Sequence, residues 1–394
     1  MKKLLIATAA TALAAGGAFA QEVKMGTILG YTGPIESLTP HMADSAELAW
    51  QEVNDSGLWL GGQTIVSVRA DSTCIDNSAA TAATERLVTS DGIVAIMGLD
   101  CSGVTMAALQ NVAIPNGIPM ISPSATSPAF TTVEDDGLFF RTAPSDARQG
   151  AVMADILMER GLTNVAVTYT NNDYGLGLAD SFAANFEAAG GTITINAPHE
   201  DGKGDYSAEI GALAAAGGDI LVVFGYADQG GAGIIQTALD QGAFDQFAMG
   251  DGMYGDALLN NIGEGLEGTI GTIPWSEGPG PEAFSALAAE AGVQGESSFT
   301  RESYDAAALL ALAAQAAGEA TPAGIAANVM NVANAPGEEI LPGELARALE
   351  ILADGGEVNY IGATNVELIG PGEAAGVYRE YVVEGGEYVT VQFR

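Results

Sequence analysis

Residues 93–126 read IVAIMGLDCSGVTMAALQNVAIPNGIPMISPSAT. The stretch begins with a short apolar run, Ile93 to Met97, and a second run follows at Pro119 to Ser122. Between them, Val104 to Ala113 carries apolar residues at helical spacing. A strand, a helix and a second strand in this order predict a βα unit, because two parallel strands need a crossover connection.

Small polar residues follow both runs. Asp100-Cys101-Ser102-Gly103 comes after the first, and Ser122-Pro123-Ser124-Ala125-Thr126 comes after the second. Since parallel strands end at the same edge of a sheet, hydroxyls and free backbone N–H groups of both clusters meet there, which suits the capture of a carboxylate. Helix caps and serine or threonine turns are the alternative interpretation of the same residues.

The same alternation continues along the chain and restarts once, near Pro144, which predicts two similar α/β lobes in tandem. Strands are predicted at Val23 to Leu29, Thr64 to Arg69, Ile93 to Met97, Pro119 to Ser122, Val165 to Tyr169, Ile193 to Asn196, Ile220 to Phe224 and Phe247 to Met249, with a final hairpin from Tyr378 to Gln392. Helices are predicted near Met42 to Val53, Ser78 to Thr89, Val104 to Ala113, Ala151 to Arg160, Leu178 to Ala189, Tyr206 to Ala216, Ala232 to Gln241, Pro281 to Ala291 and Ser303 to Gly318.

The first residues have the pattern of a secretory signal peptide. Met1-Lys2-Lys3 precedes an apolar stretch, and Ala18-Phe19-Ala20 offers a small-residue cleavage site near Ala20. No later segment approaches the ~20 apolar residues of a membrane span. A periplasmic protein, exported and then cleaved, is therefore expected.

The composition is strongly acidic, with 50 Asp and Glu against 13 Lys and Arg and a formal charge of −37. Such a chain repels nucleic acid, which is therefore not expected as a partner. The sequence has two His residues and no Gly-x-Ser-x-Gly, His-Glu-x-x-His, Cys-x-x-Cys or P-loop motif. No enzymatic activity, cofactor or metal site is predicted.

Several motifs occur in an order that resembles the periplasmic leucine/isoleucine/valine-binding protein family, the solute receptors of branched-chain amino acid ABC transporters. They are Thr32-Gly33-Pro34, Asp71 to Cys74, Gly98 to Ser102, Ile121 to Thr126, Phe140-Arg141-Thr142, Asp173-Tyr174-Gly175 and Ser303-Tyr304-Asp305. The resemblance implies a type I periplasmic binding protein fold, in which two Rossmann-like lobes joined by three hinge crossings close on a ligand.

On this fold, residues 21–143 with about 273–357 are expected to form lobe 1, and residues 144–272 with about 358–394 lobe 2. The crossings are expected near Arg141 to Ser145, Gly271 to Trp275 and Val358 to Ala363.

The resemblance also implies a set of ligand contacts. Ser102 and Thr126 match residues that hold a ligand carboxylate, and Ser124 matches one whose backbone carbonyl takes the ligand ammonium. Asp251 matches an acidic residue, usually Glu, that binds the ammonium from the opposite lobe. Tyr174 and Tyr226 match aromatic residues that cover the ligand after closure. Cys74 and Cys101 match a disulfide of the family, and pairing is the default for two cysteines in an oxidising compartment.

Asp100 departs from the family pattern, because members that bind aliphatic side chains usually have an apolar residue there. An unpaired carboxylate facing such a side chain would be costly. Either Asp100 turns to solvent or backbone, or the ligand has a polar or cationic distal group, with Glu36 and Trp275 lining the same end.

We therefore expect a monomeric receptor that binds an amino acid or similar small zwitterion and delivers it to ABC permease subunits. The same fold binding an amide, a urea-like compound or a small carboxylate, or serving as a ligand sensor, remains the alternative.

Overall fold

The computed structural model describes residues 21–394. The expected leader at residues 1–20, with its cleavage position near Ala20, lies outside the described residues. The strands are β1 (Glu22–Leu29), β2 (Thr64–Asp71), β3 (Ile96–Gly98), β4 (Met120–Ser122), β5 (Phe139–Pro144), β6 (Asn164–Thr170), β7 (Thr192–His199), β8 (Ile220–Phe224), β9 (Phe247–Met249), β10 (Ile270–Trp275), β11 (Glu338–Ile340), β12 (Val358–Tyr360), β13 (Leu368–Ile369), β14 (Glu373–Ala374), β15 (Val377–Glu384) and β16 (Glu387–Phe393). The helices are α1 (Thr39–Ser56), α2 (Asn77–Arg86), α3 (Ser102–Ala108), α4 (Ile114–Asn116), α5 (Asp146–Glu159), α6 (Asp173–Ala188), α7 (Ser207–Ala216), α8 (Gly230–Gln241), α9 (Asp256–Ile262), α10 (Pro279–Ala291), α11 (Thr300–Ala317), α12 (Pro322–Ala333) and α13 (Leu345–Ala353).

Two seven-stranded sheets form the two lobes, and the strands at the centre of each sheet are parallel. The first sheet has the order β13-β14-β5-β4-β3-β1-β2, and the second has the order β16-β15-β10-β9-β8-β6-β7. Strands β11 and β12 pair separately. The central strand β8, ILVVF, is buried along its whole length, as expected where helices cover both faces of a parallel sheet. The two-lobed α/β fold is confirmed.

Each sheet has one point at which the strand order reverses. In the first sheet it lies between β1 and β3, and in the second between β6 and β8. The connections on either side of such a point run in opposite directions, which leaves a crevice at the carboxyl ends of the two strands. Each lobe therefore has one crevice suited to a ligand.

The chain passes between the lobes three times. The first crossing follows β5 at Pro144, as expected. The second follows Trp275, because β10 pairs with β9 and β15 in the second sheet. Lobe 1 therefore resumes after residue 275 rather than at about residue 273.

The third crossing lies at residues 375–376, so the expectation of Val358 to Ala363 was wrong. The apolar run Val358–Tyr360 pairs with Glu338–Ile340, and β14 pairs with β5 in the first sheet. After leaving the second sheet at β10, the chain returns to it only at β15. Residues 358–374 consequently belong to the first lobe.

Helix α11 forms the centre of the first lobe, and residues 300–315 are all buried. The indole N–H groups of Trp50 and Trp59 donate to the carbonyls of Ala307 and Ala311, each at 2.9 Å. Between residues 21 and 394, no helix is both long and apolar enough to cross a membrane.

Candidate functional site

The crevices of the two lobes face each other across one cavity, which we call the interlobe cavity. It is lined by Ile35, Leu38, Met42, Asp100, Cys101, Ser102, Ser124, Thr126, Tyr174, Tyr226, Asp251, Gly252 and Phe299. All seven residues that the sequence predicted as ligand contacts are among them. The cavity volume is about 20 Å³, room for about one water molecule, so a larger ligand enters only after the two lobes move apart.

The first lobe contributes hydroxyls and helical N–H groups to this cavity. Ser102 is the first residue of α3, whose N-cap, Cys101, provides no side-chain cap. The Ser102 hydroxyl accepts from the backbone N–H of Ser127 at 3.1 Å, and the Ser124 hydroxyl donates to the Asp100 carbonyl at 3.1 Å. The Thr126 hydroxyl is 1% exposed and has no hydrogen-bond partner within residues 21–394. Turn formation therefore accounts for Ser102 and Ser124 in part, and it does not account for Thr126.

Arg141 holds the loop that carries Ser124 and Thr126. Its guanidinium donates to the carbonyls of Ala125 at 3.1 Å and Ser127 at 2.9 Å, and it forms an ion pair with Glu373. The side chain is 1% exposed. Arg141 is therefore a positioning residue, which sequence reasoning had noted only as part of a motif.

Asp100 occupies the point where strand order reverses in the first sheet. Its carboxylate accepts from the backbone N–H groups of Gly30 at 2.5 Å and Cys101 at 2.9 Å, and from the Ser72 hydroxyl at 2.9 Å. Burial raises the pKa of this carboxyl group, while these three donors oppose the increase. The sequence left two alternatives for Asp100: its carboxylate turns to solvent or backbone, or it faces a polar or cationic group of the ligand. In the structure the carboxylate is turned to the backbone.

The second lobe contributes a carboxylate and two stacked rings. Tyr174 follows the N-cap Asn172, whose side chain accepts from the N–H groups of Tyr174 and Gly175. The Tyr174 hydroxyl donates to Asp251 Oδ1 at 2.7 Å, and its ring stacks on Tyr226 with centroids 5.3 Å apart. Asp251 Oδ1 also accepts from the Gly252 N–H at 2.9 Å.

The other oxygen of Asp251, Oδ2, has no hydrogen-bond partner among the described residues and is buried. Burial raises the pKa of Asp251 to about 6, against the opposing effect of the Tyr174 and Gly252 hydrogen bonds. A cationic group that reached Oδ2 would relieve this cost and favour the ionised form.

Asp146, which sequence reasoning missed, adds a second carboxylate beside the first. It is the first residue of α5, its N–H donates to the Thr126 carbonyl at 2.9 Å, and its side chain is 0% exposed. Within the described chain neither of its carboxylate oxygens has a hydrogen-bond partner. Burial first, and the charge of Asp251 second, raise the pKa of Asp146 well above its ordinary value.

The model of the family described as "Periplasmic binding protein" matches residues 22–347. The chain belongs to this family. Leu/Ile/Val-binding protein homolog 1 of Brucella melitensis is 32% identical over 333 residues, covering 83% of this chain and 87% of the relative. The resemblance to the Leu/Ile/Val-binding proteins is thereby confirmed.

Two further similarities extend the comparison. A substrate-binding protein of a chemotactic signal transduction system, BasB of Halobacterium salinarum, is 32% identical over 368 residues, covering 88% of this chain and 84% of that protein. The crystal structure of a leucine binding protein, LivK, from Thermotoga maritima superposes with a TM-score of 0.77 at 23% identity and covers 94% of this chain and 98% of that one. The structural similarity supports the fold.

One end of the interlobe cavity of this periplasmic binding protein is apolar. Ile35, Leu38, Met42 and Phe299 line it, all from the first lobe. Phe299 has φ of 59°, a left-handed conformation that is strained for a bulky residue. Glu36 is exposed and Trp275 lies elsewhere, so neither lines this end as the sequence suggested.

Two hydrogen bonds join the lobes beside the cavity, and we call this contact the interlobe latch. The Asp228 carboxylate accepts from the Ser37 N–H at 2.8 Å, and the Asp228 N–H donates to the Pro34 carbonyl at 3.1 Å. Ser37 and Pro34 follow β1, while Asp228 follows β8. The latch therefore connects loops from the crevices of both lobes.

Cys74 and Cys101 form a disulfide that links the segments after β2 and β3. The structure thus contains the pair that the family resemblance implies. In the part of the chain that the structure describes, no group of three or more His, Cys, Asp or Glu residues has a metal-binding arrangement.

Proposed function

We propose that this periplasmic binding protein is a receptor that holds an amino acid with an apolar side chain in its interlobe cavity and delivers it to ABC permease subunits. One observation carries the proposal. The lining of the interlobe cavity combines the buried carboxylate of Asp251 and the hydroxyls of Ser102 and Thr126 with the apolar side chains of Ile35, Leu38, Met42 and Phe299. A small zwitterion with an aliphatic side chain complements both features.

The ligand ammonium is assigned to Asp251 Oδ2, with the Ser124 carbonyl accepting a further hydrogen bond. The ligand carboxylate is assigned to the hydroxyls and N–H groups of Ser102 and Thr126. Charge-assisted hydrogen bonds of this kind contribute roughly 1.5 to 3 kcal/mol each. Tyr174 and Tyr226 would cover the ligand from the second lobe.

The ligand side chain is assigned to the end formed by Ile35, Leu38, Met42 and Phe299. Burial of a Leu or Ile side chain contributes about 1.5 to 3 kcal/mol. A dissociation constant of ~1 µM corresponds to about 8 kcal/mol. About three such hydrogen bonds and one buried side chain together contribute roughly 6 to 12 kcal/mol before the cost of closure, a range that includes this value.

A simple carboxylate is a poorer ligand for this cavity, because the charge of Asp251 repels an anion that lacks an ammonium group. Asp100 is not proposed to select for a cationic distal group, since three of the about four acceptor positions of its carboxylate already take hydrogen bonds from Gly30, Cys101 and Ser72. A role as a ligand sensor in chemotaxis is the second candidate, favoured by the similarity to the Halobacterium salinarum protein. Permease and ATPase genes beside this gene would favour transport, and a chemotaxis transducer gene would favour sensing.

We further propose export through the leader at residues 1–20, cleavage near Ala20, action as a monomer, and no catalysis. The family consists of binding proteins, which supports the absence of an enzymatic role.

A thermal-shift screen of the cleaved protein tests the ligand class. The panel contains aliphatic, polar, cationic and acidic amino acids, amino-acid amides, and aromatic carboxylates. A ligand at about 100 times its dissociation constant should stabilise the protein by about 2.7 kcal/mol. The largest shifts are expected for leucine, isoleucine and valine, whereas a shift with benzoate or an amide and none with these three would refute the proposal.

A further inference from the structure

A second cavity lies where the chain passes between the lobes, and we call it the crossing cavity. Its volume is about 390 Å³, within the range of small-molecule sites. Pro144, Glu277 and Gly376, one from each of the three crossings, contribute to its lining. It is separate from the interlobe cavity, with which it shares no lining residue.

Glu302 reaches this cavity from the first turn of α11. The residue is 7% exposed, and within residues 21–394 its carboxylate has only its own backbone N–H as a donor and forms no ion pair. Asp305, one turn further along α11, is also buried, but its carboxylate has several hydrogen-bond donors from other residues. Its carboxylate accepts from the Tyr360 hydroxyl, the Ala363 N–H, and both the N–H and hydroxyl of Thr364, at 2.7 to 2.8 Å.

The adjacent cation, Arg301, opposes the rise in the pKa of Glu302 but forms its ion pair with another residue. Arg301 donates to Glu296 at 2.9 Å, and its guanidinium lies 4.3 Å from the ring centroid of Trp275. An unpaired buried carboxylate is costly, and burial raises the pKa of Glu302 to about 8. The group therefore lacks the cationic partner that a purely structural buried acid usually has.

The remaining lining favours a cation with an apolar body. Pro274, Val366, Ala374 and Val377 present apolar surface, and Glu277 and Glu367 are exposed acidic residues of the same lining. The lining residues include no Lys, Arg or His. An anion would meet three carboxyl groups with no basic side chain among these residues.

We propose that the crossing cavity is a second ligand site, which takes a small organic monoamine whose ammonium group pairs with Glu302 while its apolar body contacts the proline and valine walls. This site does not depend on which ligand the interlobe cavity takes. Its occupant would contact all three connections between the lobes.

Calorimetric titration with 2-phenylethylamine tests this site, with 2-phenylethanol and 3-phenylpropanoate as probes of similar shape that lack the positive charge. A value of about pH 8.5 keeps the amine protonated and favours ionised Glu302. Groups that act on this carboxyl group include Arg301 and Asp305 on its own helix, Asp251 from the second lobe, and Glu277 and Glu367 in the lining. The amine is expected to bind at least about tenfold more tightly than either control.

Three variants locate the probe. Glu302→Gln should weaken amine binding by about tenfold or more, since it replaces the buried charge with a neutral group of similar shape. Glu367→Gln, on the exposed side of the same lining, should change it by less than about threefold. Asp251→Asn should not weaken it, because that residue lines the interlobe cavity and its charge disfavours ionised Glu302.

Several results would overturn the proposal: no amine binding up to about 10 mM, equal binding of the alcohol, an unchanged affinity in Glu302→Gln, or loss of amine binding in Asp251→Asn. The melting transition of each variant, measured in the same buffer, verifies that it is folded. If Glu302→Gln does not fold, Glu302→Asp serves instead. The shorter carboxylate keeps the charge and should weaken amine binding, whereas an unchanged affinity would contradict the proposal.

Discussion

Asp251 combines full burial with one carboxylate oxygen that has no partner in the described chain. Because its pKa is raised to about 6, a proton occupies the group in an increasing share of molecules as the pH falls below 6. A ligand ammonium pairs with the ionised form, so binding releases that proton. Affinity must therefore decrease as the pH falls through this range.

We expect an aliphatic amino acid to bind about tenfold more weakly at about pH 5 than at about pH 7.5. Calorimetry across this range measures the change. Asp251→Asn should bind weakly throughout and should lose the step near pH 6. A wild-type affinity that did not vary with pH would show that the ammonium does not contact this carboxylate.

Asp100 has a structural role that a substitution can separate from ligand selection. Asp100→Leu removes the acceptor of two backbone N–H groups and of the Ser72 hydroxyl. The free energy of unfolding should fall by about 3 kcal/mol or more, since each buried unpaired donor costs roughly 1 to 3 kcal/mol. Denaturant unfolding measures this, with Asp100→Asn as the milder control.

The order of preference among amino acids should not change in Asp100→Leu. Any change in that order would mean that the carboxylate faces the ligand side chain.

At the residue scale, sequence reasoning predicted most of the polar side chains that line the interlobe cavity and missed the apolar ones. Ser102, Thr126 and Asp251 follow strands, where small polar residues are conspicuous. Asp146 resembles an ordinary acidic residue in the first turn of a helix, and its burial depends on how the second lobe packs. Phe299 gives no local signal, because its left-handed conformation is imposed by the start of a fully buried helix.

Among the elements, the loops after β1 and β8 are hydrogen-bonded to each other and join the two lobes beside the interlobe cavity. The interlobe latch connects them through Asp228, which does not line the interlobe cavity. Its hydrogen bond to the Ser37 N–H exists only when the lobes are together. The latch therefore stabilises the closed form without a contact to the ligand.

Asp228→Ala should weaken amino-acid binding by about threefold to tenfold, the loss expected for one charge-assisted hydrogen bond that forms on closure. Glu36→Ala, at a neighbouring exposed acid, is the matched control and should leave the affinity unchanged. Calorimetric titration compares the two variants. Equal affinities for both would show that the latch contributes nothing to closure.

Most elements were predictable, including the hairpin of β15 and β16 at the carboxyl end, whereas α9 and the elements between α11 and β15 were not predicted, apart from the apolar run of β12. β8 and β9 begin and end at the predicted residues, because each is an apolar run. The third crossing was misplaced because a run such as Val358–Tyr360 does not indicate which sheet it joins. Its pairing with Glu338–Ile340 is a long-range contact. The points at which strand order reverses were not predictable either, because spacing along the chain does not specify the order of strands in a sheet.

For the whole molecule, the formal charge of −37 produces repulsion that favours the unfolded chain. Salt should relieve it, because the Debye length falls from about 10 Å at 0.1 M to about 3 Å at 1 M. We expect the melting temperature to rise by several degrees over this range. NaCl and KCl should have the same effect at equal ionic strength, and a melting temperature that fell with added salt would contradict this view.

The central claim is that one cavity recognises both charges of an amino acid together with an apolar side chain. Calorimetric titration with leucine, leucinamide and 4-methylpentanoate tests it directly, because the two analogues each lack one of leucine's charges. Leucine should bind with a dissociation constant of ~1 µM, and each analogue should bind at least about 100-fold more weakly. Equal binding of 4-methylpentanoate and leucine would contradict the account, since it would leave Asp251 and Asp146 without a ligand ammonium.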